Sequence, residues 1–276
     1  MARPGTFLRA ALLALAASAA AGCGFTVHKL NSHRALTALA STPRSPSFMP
    51  VLSENLGSVF AGSPYPDYLY ACGPNHDNGE YTHWSPFQAV AAAYIREAYP
   101  EPRNASGRAL VAFLAGVASH YMADISWHGL AETPSGYGLI ETVGVLDFGC
   151  DGSLCSVAHT FSDTGGEFAA VYENAVPWDD AAAWVVPVND LLAIYRRANR
   201  SDVTAAAIDE CAAIFFAGAE AVAAAAALAD PILEQQSPTF AEVISSLPIG
   251  GWDDMSVYVF NAHNAAPAPL HPQLPP

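Results

Sequence analysis

Apolar residues recur along the chain at helical spacing, and few stretches alternate between polar and apolar residues with a period of two. Recurrence every three to four residues is typical of an amphipathic helix, whereas alternation is typical of a strand. The pattern therefore predicts one mostly helical domain from about Cys23 to Asn264, with strands as a minor component. The predicted helices cover Ser85–Tyr99, Ser106 to about Leu130, about Trp178 to Arg197, and Val203–Asp230.

Capping and breaking residues define the ends of these segments. Ser85 is expected to be the N-cap of its helix, with Pro86 in the first turn. Pro231 would stop the Ala-rich last helix, and the Gly and Pro residues of Ala61–Trp84 predict a loop between helices. The Ala-rich run is not expected to span a membrane, because Glu220 interrupts it and Ala is only weakly apolar.

The first 22 residues differ in pattern from the rest of the chain. Arg3 and Arg9 precede an apolar run, which is followed by small residues up to Gly22. This order is typical of a secretory signal peptide. We therefore expect residues 1–22 to be removed and the protein to be secreted, with Cys23 as the new N-terminus. Attachment to lipid through Cys23 is the alternative. Residues 265–276 form a Pro-rich tail.

The charge balance favours an acidic secreted protein. The 276 residues include 11 basic and 26 acidic side chains, which gives a formal net charge of −15. Nucleic acid binding needs a basic surface, so we expect no nucleic acid partner. Five cysteines suit an oxidising compartment. Cys150 and Cys155 could close a small loop, and Cys72 with Cys211 is another possible pair.

The stretch SHYMADISWHGL, residues Ser119–Leu130, places His120, Asp124 and His128 four residues apart in an apolar segment. Side chains at this spacing share one face of a helix. A buried His or Asp is costly unless it is paired, hydrogen-bonded or bound to a metal. The spacing therefore favours a metal site, with helix capping or a buried hydrogen-bonded network as the alternative.

Further histidines and aspartates add candidate ligands. His159 and Asp163 repeat the four-residue spacing, and His28, Asp67 and His83 stand in three other motifs. Neutral imidazole and carboxylate are the ligands of catalytic zinc, which commonly takes three protein ligands per ion. Together these five histidines and three aspartates nearly suffice for three ions. The residues alone predict a metal-dependent hydrolase.

Seven separated blocks of the chain resemble one known family, and they occur in the order found there. The blocks are CGFTVHKLNSHRAL, AGSPYPDYLY, HDNGEYTHWSPF, GVASHYMADISWHGL, AHTFSDTGGEF, VPVNDLLAIY and GGWDDMSVYVFNAH. They resemble the catalytic domains of the zinc-dependent phospholipase C superfamily, in its glycosylphosphatidylinositol (GPI)-specific phospholipase D branch. The resemblance covers about Cys23 to His263. In that branch a β-propeller follows the catalytic domain, whereas the Pro-rich tail follows it here.

The resemblance implies an all-α domain around a trinuclear zinc site. It implies Asp67 and Asp124 as catalytic residues, with Asp67 as a candidate general base and Asp124 as a bridge between two ions. The implied ligands are Asp67, His83, His120 and Asp124 for one ion; Asp124, His28 and the N-terminal amine of Cys23 for the second; and His128, His159 and Asp163 for the third.

The function implied by this family is hydrolysis of a phosphodiester bond by a zinc-activated water. The expected substrate is a phospholipid or a GPI anchor, reached by peripheral contact with a membrane surface. One alternative is an S1/P1-like zinc nuclease on the same scaffold, although its mature chain would begin with Trp rather than Cys23. The other alternative is a secreted protein that keeps the metals for structure without catalysis.

Overall fold

Helices, and no strand, make up the residues that the computed structural model describes, which are 25–42, 47–70, 72, 76–127 and 183–217. This helical architecture confirms the predicted all-α class. The helices are α1 Phe25–Ala40, α2 Met49–Ser53, α3 Leu56–Gly62, α4 Tyr65–Tyr68, α5 His76–His83, α6 Ser85–Ala98, α7 Ala105–Trp127 and α8 Val188–Arg197, and α9 covers residues 205–217.

The long helix α7 lies at the centre of the described fold. It packs against each of the helices α1 to α6, and α8 packs against α6. Leu110, Phe113 and Val117 of α7 are fully buried, and Tyr65 of α4 meets the Phe113 ring edge-on at a centroid distance of 5.0 Å. By length and composition alone α7 could also cross a membrane. Its packing against six other helices makes it the core helix of the described fold.

The predicted helices before and along the core are confirmed with small differences at their ends. Helix α6 begins at Ser85, and its N-cap is Trp84 rather than Ser85. The backbone at Trp84 is extended, with φ −110° and ψ 157°, whereas Ser85 is already helical. Helix α7 follows the predicted Ser106–Leu130 segment as far as Trp127, the last residue described there.

The continuous helix predicted from about Trp178 to Arg197 is wrong. Residues 184–187 have no regular structure, and α8 begins only at Val188, with Pro187 as its N-cap. The Val185 N–H donates to the Gly57 carbonyl at 3.2 Å, so this segment is bound to α3 rather than to a helical turn of its own. Of the predicted Val203–Asp230 helix, residues 205–217 are described and helical, and the Thr204 hydroxyl accepts from the Ala207 N–H at 3.1 Å.

The loop predicted over Ala61–Trp84 is also wrong, because this stretch contains the end of α3 and all of α4 and α5. Pro66 stands in the first turn of α4, where a missing N–H costs no hydrogen bond. Tyr65 and Tyr68 are fully buried. Tertiary burial of these aromatic side chains therefore outweighs the local turn propensity of Gly and Pro.

A disulfide between Cys72 and Cys211 joins the chain after α4 to α9, across a sequence separation of 139 residues. It corresponds to one of the two pairs considered possible from the sequence. The other possible pair, Cys150 and Cys155, lies outside the described residues, as do the expected signal peptide and the Pro-rich tail.

Candidate metal centre

Five of the nine predicted ligands lie in the described part of the chain, and the fold brings all five together. His28, Asp67 and His120 are fully buried, whereas the side chains of His83 and Asp124 are 9% and 15% exposed. They come from α1 (His28), α4 (Asp67), the last residue of α5 (His83) and α7 (His120 and Asp124). The other four, Cys23, His128, His159 and Asp163, lie outside the described residues.

Two glycines position His120 by allowing α3 and α7 to touch. A Cβ atom on Gly62 would lie 2.0 Å from the Phe113 carbonyl oxygen, and one on Gly116 would lie 2.2 Å from the Val59 carbonyl oxygen. Neither position therefore accepts a larger residue without moving the helices apart. This close contact brings the Ser63 carbonyl oxygen to 2.7 Å from His120 Nδ1.

His83 is held in the same way by a backbone carbonyl, in this case from its own helix. Its Nδ1 lies 2.9 Å from the Gly79 carbonyl oxygen, one turn earlier in α5. A carbonyl oxygen only accepts hydrogen bonds, so Nδ1 of both His83 and His120 must carry the hydrogen. The Nε2 atom of each ring is therefore left to face the centre of the cluster.

The two carboxylates occupy the space in front of these Nε2 atoms. Asp67 Oδ1 lies 3.2 Å from Nε2 of His83 and 3.9 Å from Nε2 of His120. Asp124 Oδ2 lies 3.6 Å and 3.0 Å from the same two atoms. His28 Nε2 reaches both acids, at 3.7 Å from Asp67 Oδ2 and 3.5 Å from Asp124 Oδ1.

This arrangement needs a cation. When His83 and His120 are neutral with hydrogen on Nδ1, their Nε2 lone pairs point at the carboxylate oxygens, and like partial charges repel. Two fully buried atoms, Asp67 Oδ2 and His120 Nε2, also have no hydrogen-bond partner. An unpartnered buried polar group costs on the order of 1–3 kcal/mol. A proton on Nε2 or a metal ion between the ligands removes this cost.

The protonation equilibria of the cluster reflect the same demand for positive charge. Burial alone lowers the pKa of His83, but the hydrogen bond to Asp67, the charges of Asp67 and Asp124, and the Gly79 carbonyl raise it to about 9. Burial likewise raises the pKa of Asp124, but His120, His28 and His83 together hold it well below its usual value. The carboxylate therefore stays ionised while the imidazoles compete for a cation.

The donor set fits zinc. Imidazole nitrogen and carboxylate oxygen are the ligands of catalytic zinc sites, and two ligand atoms about 2.0–2.2 Å from one tetrahedral ion lie roughly 3.3–3.6 Å apart. The nitrogen-to-oxygen separations in the cluster, from 3.0 to 3.9 Å, bracket this value. Two overlapping sets of three residues each offer ligand atoms within 4.8 Å of one another: His28, Asp67 and His120, and His83, His120 and Asp124.

A family model described as zinc-dependent phospholipase C matches residues 27–221 of this chain. The match covers more than half of the chain and includes all five residues of the described cluster. The chain belongs to the zinc-dependent phospholipase C family. Family membership supports a phospholipid-hydrolysing enzyme.

Curated relatives point to one branch of this family. Phosphatidylinositol-glycan-specific phospholipase D of Dictyostelium discoideum is 34% identical over 237 residues, covering 86% of this chain and 24% of the relative. The protein of the same name from Homo sapiens is 35% identical over 247 residues, covering 88% and 29%, and that from Mus musculus is 32% identical over 257 residues, covering 91% and 29%. The chain thus spans about a quarter to a third of the length of these relatives. No solved structure matches it.

Within this zinc-dependent phospholipase C domain, the side of the cluster next to His83 is formed by residues that the sequence did not identify. The Tyr70 ring stacks on the His83 ring at a centroid distance of 5.1 Å. Glu80 accepts hydrogen bonds from the Tyr70 hydroxyl and, at 2.7 Å, from the indole N–H of Trp84. Burial raises the pKa of Glu80, but these hydrogen bonds and the nearby His83 lower it overall. The only sequence signal for the contact between Glu80 and Trp84 is their four-residue spacing, which in a helix would place them on one face.

Proposed function

We propose that this protein is a secreted zinc-dependent phosphodiesterase that hydrolyses phospholipids or GPI anchors. One observation carries the proposal: the Nε2 atoms of His83 and His120 face the carboxylates of Asp67 and Asp124 in a buried site, where a bound cation would offset the repulsion between these atoms. Family membership supports zinc as that cation. The names of the curated relatives support a phosphatidylinositol-glycan lipid as the substrate class.

The proposed centre holds three zinc ions. His28, Asp67, His83, His120 and Asp124 supply the described part of the ligand set. The remaining ligands in this proposal are the predicted ones outside the described residues: Cys23 through its amine, His128, His159 and Asp163. The proposal therefore requires removal of residues 1–22, because only a free amine at Cys23 is available as a ligand.

Bound zinc supplies an activated water at neutral pH and an electrostatic partner for the charge that develops on the phosphoryl oxygens. The chain's own residues position this chemistry. The Ser63 and Gly79 carbonyls fix the His120 and His83 rings with Nε2 inward. Asp124 lies within 3.6 Å of three imidazoles, so its carboxylate would be able to hold the same ions as these histidines. Asp67 Oδ2 has no hydrogen-bond partner and is the atom proposed to accept a proton.

A metal analysis combined with a substrate panel tests the proposal. Purified protein without residues 1–22 should carry close to three zinc ions per chain and should release a GPI-anchored reporter from membranes. Product analysis then assigns the broken bond, because release of phosphatidic acid marks D-type cleavage and release of diacylglycerol marks C-type cleavage. Chelation should abolish the release, and added zinc should restore it.

Different outcomes contradict different parts of this function. One zinc ion or none per chain would overturn the trinuclear centre. Hydrolysis of single-stranded DNA without hydrolysis of any phospholipid or GPI anchor would assign the site to a nuclease. Full zinc occupancy without hydrolysis of any of these substrates would leave a structural role for the metal.

A further inference from the structure

Three serine hydroxyls meet directly behind the metal centre, where α1, the end of α3 and α7 come together. Ser32 Oγ lies 2.6 Å from Ser63 Oγ, and it also contacts Ser119 Oγ. Ser32 and Ser63 are 2% and 0% exposed, so the contact between them is shielded from water, whereas Ser119 is half-buried. We call Ser32, Ser63 and Ser119 the serine layer.

Each member of the serine layer is close in sequence to a residue of the metal centre. Ser32 lies one turn after His28 on α1, and Ser63 lies four positions before Asp67. Ser119 directly precedes His120 on α7. Residues four apart on a helix share a face, so His28 and Ser32 lie above one another. The serine layer therefore connects the three segments that carry His28, Asp67 and His120.

The serine layer also acts on His120 through the backbone. The Ser63 carbonyl accepts the hydrogen bond from His120 Nδ1 at 2.7 Å. The Ser63 hydroxyl is fixed in turn by Ser32 and by the Val59 carbonyl, which lies 2.9 Å away. A shift of Ser63 relative to α1 would thus move the group that orients the His120 ring, which stacks on the His28 ring at a centroid distance of 3.6 Å.

The serine layer has four hydroxyl contacts but only three protons, since each serine has one to donate, so at most three of the contacts are hydrogen bonds at any one time. Ser63 reaches the Val59 carbonyl and Ser119 reaches the Gly116 carbonyl at 2.8 Å, both within their own segments. Ser32 is the member that joins the other two. Without its hydroxyl, Ser63 and Ser119 keep a partner in their own segments, and only the link between helices is lost.

We propose that the serine layer is a positioning device for the metal centre, with Ser32 as its central residue. Metal ligands need to be held within about 0.5 Å of their productive positions, and side chains on separate helices meet that tolerance only if the helices are fixed to one another. The glycine contact of α3 with α7 fixes one pair of helices. The hydroxyls of Ser32, Ser63 and Ser119 add α1, and with it His28.

The test compares Ser32→Ala with Ser58→Ala. Ser58 is a matched control, because it is also buried, at 3% exposure, on α3, and no hydrogen bond in the described part of the chain joins it to the serine layer. Zinc binding, measured by competition with a chelator, should weaken about 10- to 100-fold in Ser32→Ala, the range found when a group that orients a metal ligand is lost. It should not change in Ser58→Ala. The absorption bands of the cobalt-substituted protein, which report ligand geometry, should shift only in Ser32→Ala.

A second readout separates this inference from the proposed function. In the chelated protein, the His120 Nδ1–H signal in the NMR spectrum should exchange slowly with water, and Ser32→Ala should make that exchange faster. This measurement needs neither metal nor phosphodiesterase activity. Equal zinc affinity, equal cobalt spectra and equal exchange in the two variants would overturn the role of the serine layer, whatever the substrate proves to be.

Variants of Ser119 keep the proposal testable if Ser32→Ala fails to fold. Ser119→Ala removes a hydroxyl at a half-buried position, whereas Ser119→Thr keeps it. If hydroxyl contacts position the ligands, Ser119→Ala should weaken zinc binding and Ser119→Thr should restore it. Equal weakening in both variants would assign the effect to packing and would contradict the proposal.

Discussion

Asp67 in the metal centre and Asp190 on α8 are two partly or fully buried carboxylates with opposite surroundings. Asp190 Oδ1 accepts hydrogen bonds from the hydroxyls of Tyr94 and Tyr99, at 2.6 Å and 2.8 Å. Burial and the Asp190 charge raise the pKa of both phenols, so both stay protonated as donors. Every contact described for this carboxylate is one that a neutral donor satisfies.

Asp67 instead faces imidazole nitrogens whose other side already donates to a carbonyl. His83 Nε2 and His120 Nε2 lie 3.2 Å and 3.9 Å from its Oδ1, and its Oδ2 has no hydrogen-bond partner. Both aspartates are acceptors, and only the supply of donors differs. Asp190 therefore acts as a structural link between α6 and α8, whereas a cation would complete the environment of Asp67.

Replacing an acid of the candidate metal centre should have the largest effect on zinc binding and activity. Asp124→Asn keeps the shape but removes a charge that lies within 3.6 Å of three imidazoles. We expect zinc content and phosphodiesterase activity to fall together, by more than about 100-fold, which exceeds the usual loss when only a group that orients a ligand is changed. Metal analysis and an assay on the same preparation measure both.

Asp190→Asn is the control for that experiment. It makes the same chemical change at a carboxylate outside the centre, and its amide oxygen still accepts from a tyrosine hydroxyl. Zinc content and activity should match those of the unchanged protein. Retention of zinc by Asp124→Asn, or its loss from Asp190→Asn, would show that the two carboxylates have been assigned to the wrong roles.

Stability of the metal-free protein should depend on pH through His83. The pKa of His83 is about 9 in the fold, above the usual value of about 6.5 in an unfolded chain. The folded state thus favours the protonated form, and this contribution is complete below about pH 6.5 and is lost as pH rises through about 9. The loss is on the order of 3 kcal/mol, measured by urea unfolding of chelated protein between pH 6 and pH 9.5.

Two comparisons sharpen the pH experiment. Asp67→Asn removes the hydrogen bond and charge that contribute most to raising the pKa of His83, so its stability should vary less over the same range. Zinc binding requires neutral imidazole, so binding at pH 7 should release a proton from His83. Identical pH profiles for Asp67→Asn and the unchanged chelated protein would contradict the assignment of His83.

The residues of the candidate ligand set could be selected from the sequence, because their chemistry is local, and their metal binding stays a prediction. The four-residue spacing of His120 and Asp124 on a long apolar helix already required a shared face, and α7 has that spacing in the structure. Asp67 could be identified only through the motif around it. The local composition predicted a loop at that point, whereas Asp67 is a fully buried residue of α4.

The groups that orient the ligands could not be predicted, because they depend on tertiary contacts. The carbonyl that fixes His120 belongs to Ser63, 57 residues earlier, and it reaches the ring only because Gly62 and Gly116 let α3 and α7 touch. The sequence does not show which backbone carbonyl accepts a hydrogen bond from His120. It does show the two glycines, but nothing near Gly62 or Gly116 in the sequence indicates that their helices touch.

Removing the carboxylate of the structural link should have a smaller effect, confined to the stability of the fold. Asp190→Ala leaves the hydroxyls of Tyr94 and Tyr99 without their acceptor, and both are half-buried, so water replaces part of the loss. We expect a decrease of about 1–2 kcal/mol in the free energy of unfolding, with unchanged zinc affinity. The nearby ion pair of Arg197 with Glu97, at 2.8 Å, is 38% and 65% exposed, so Glu97→Gln should change stability by less than about 0.5 kcal/mol. An equal loss from Glu97→Gln and Asp190→Ala would mean that surface charge, rather than the hydrogen bonds to Asp190, stabilises the contact of α6 with α8.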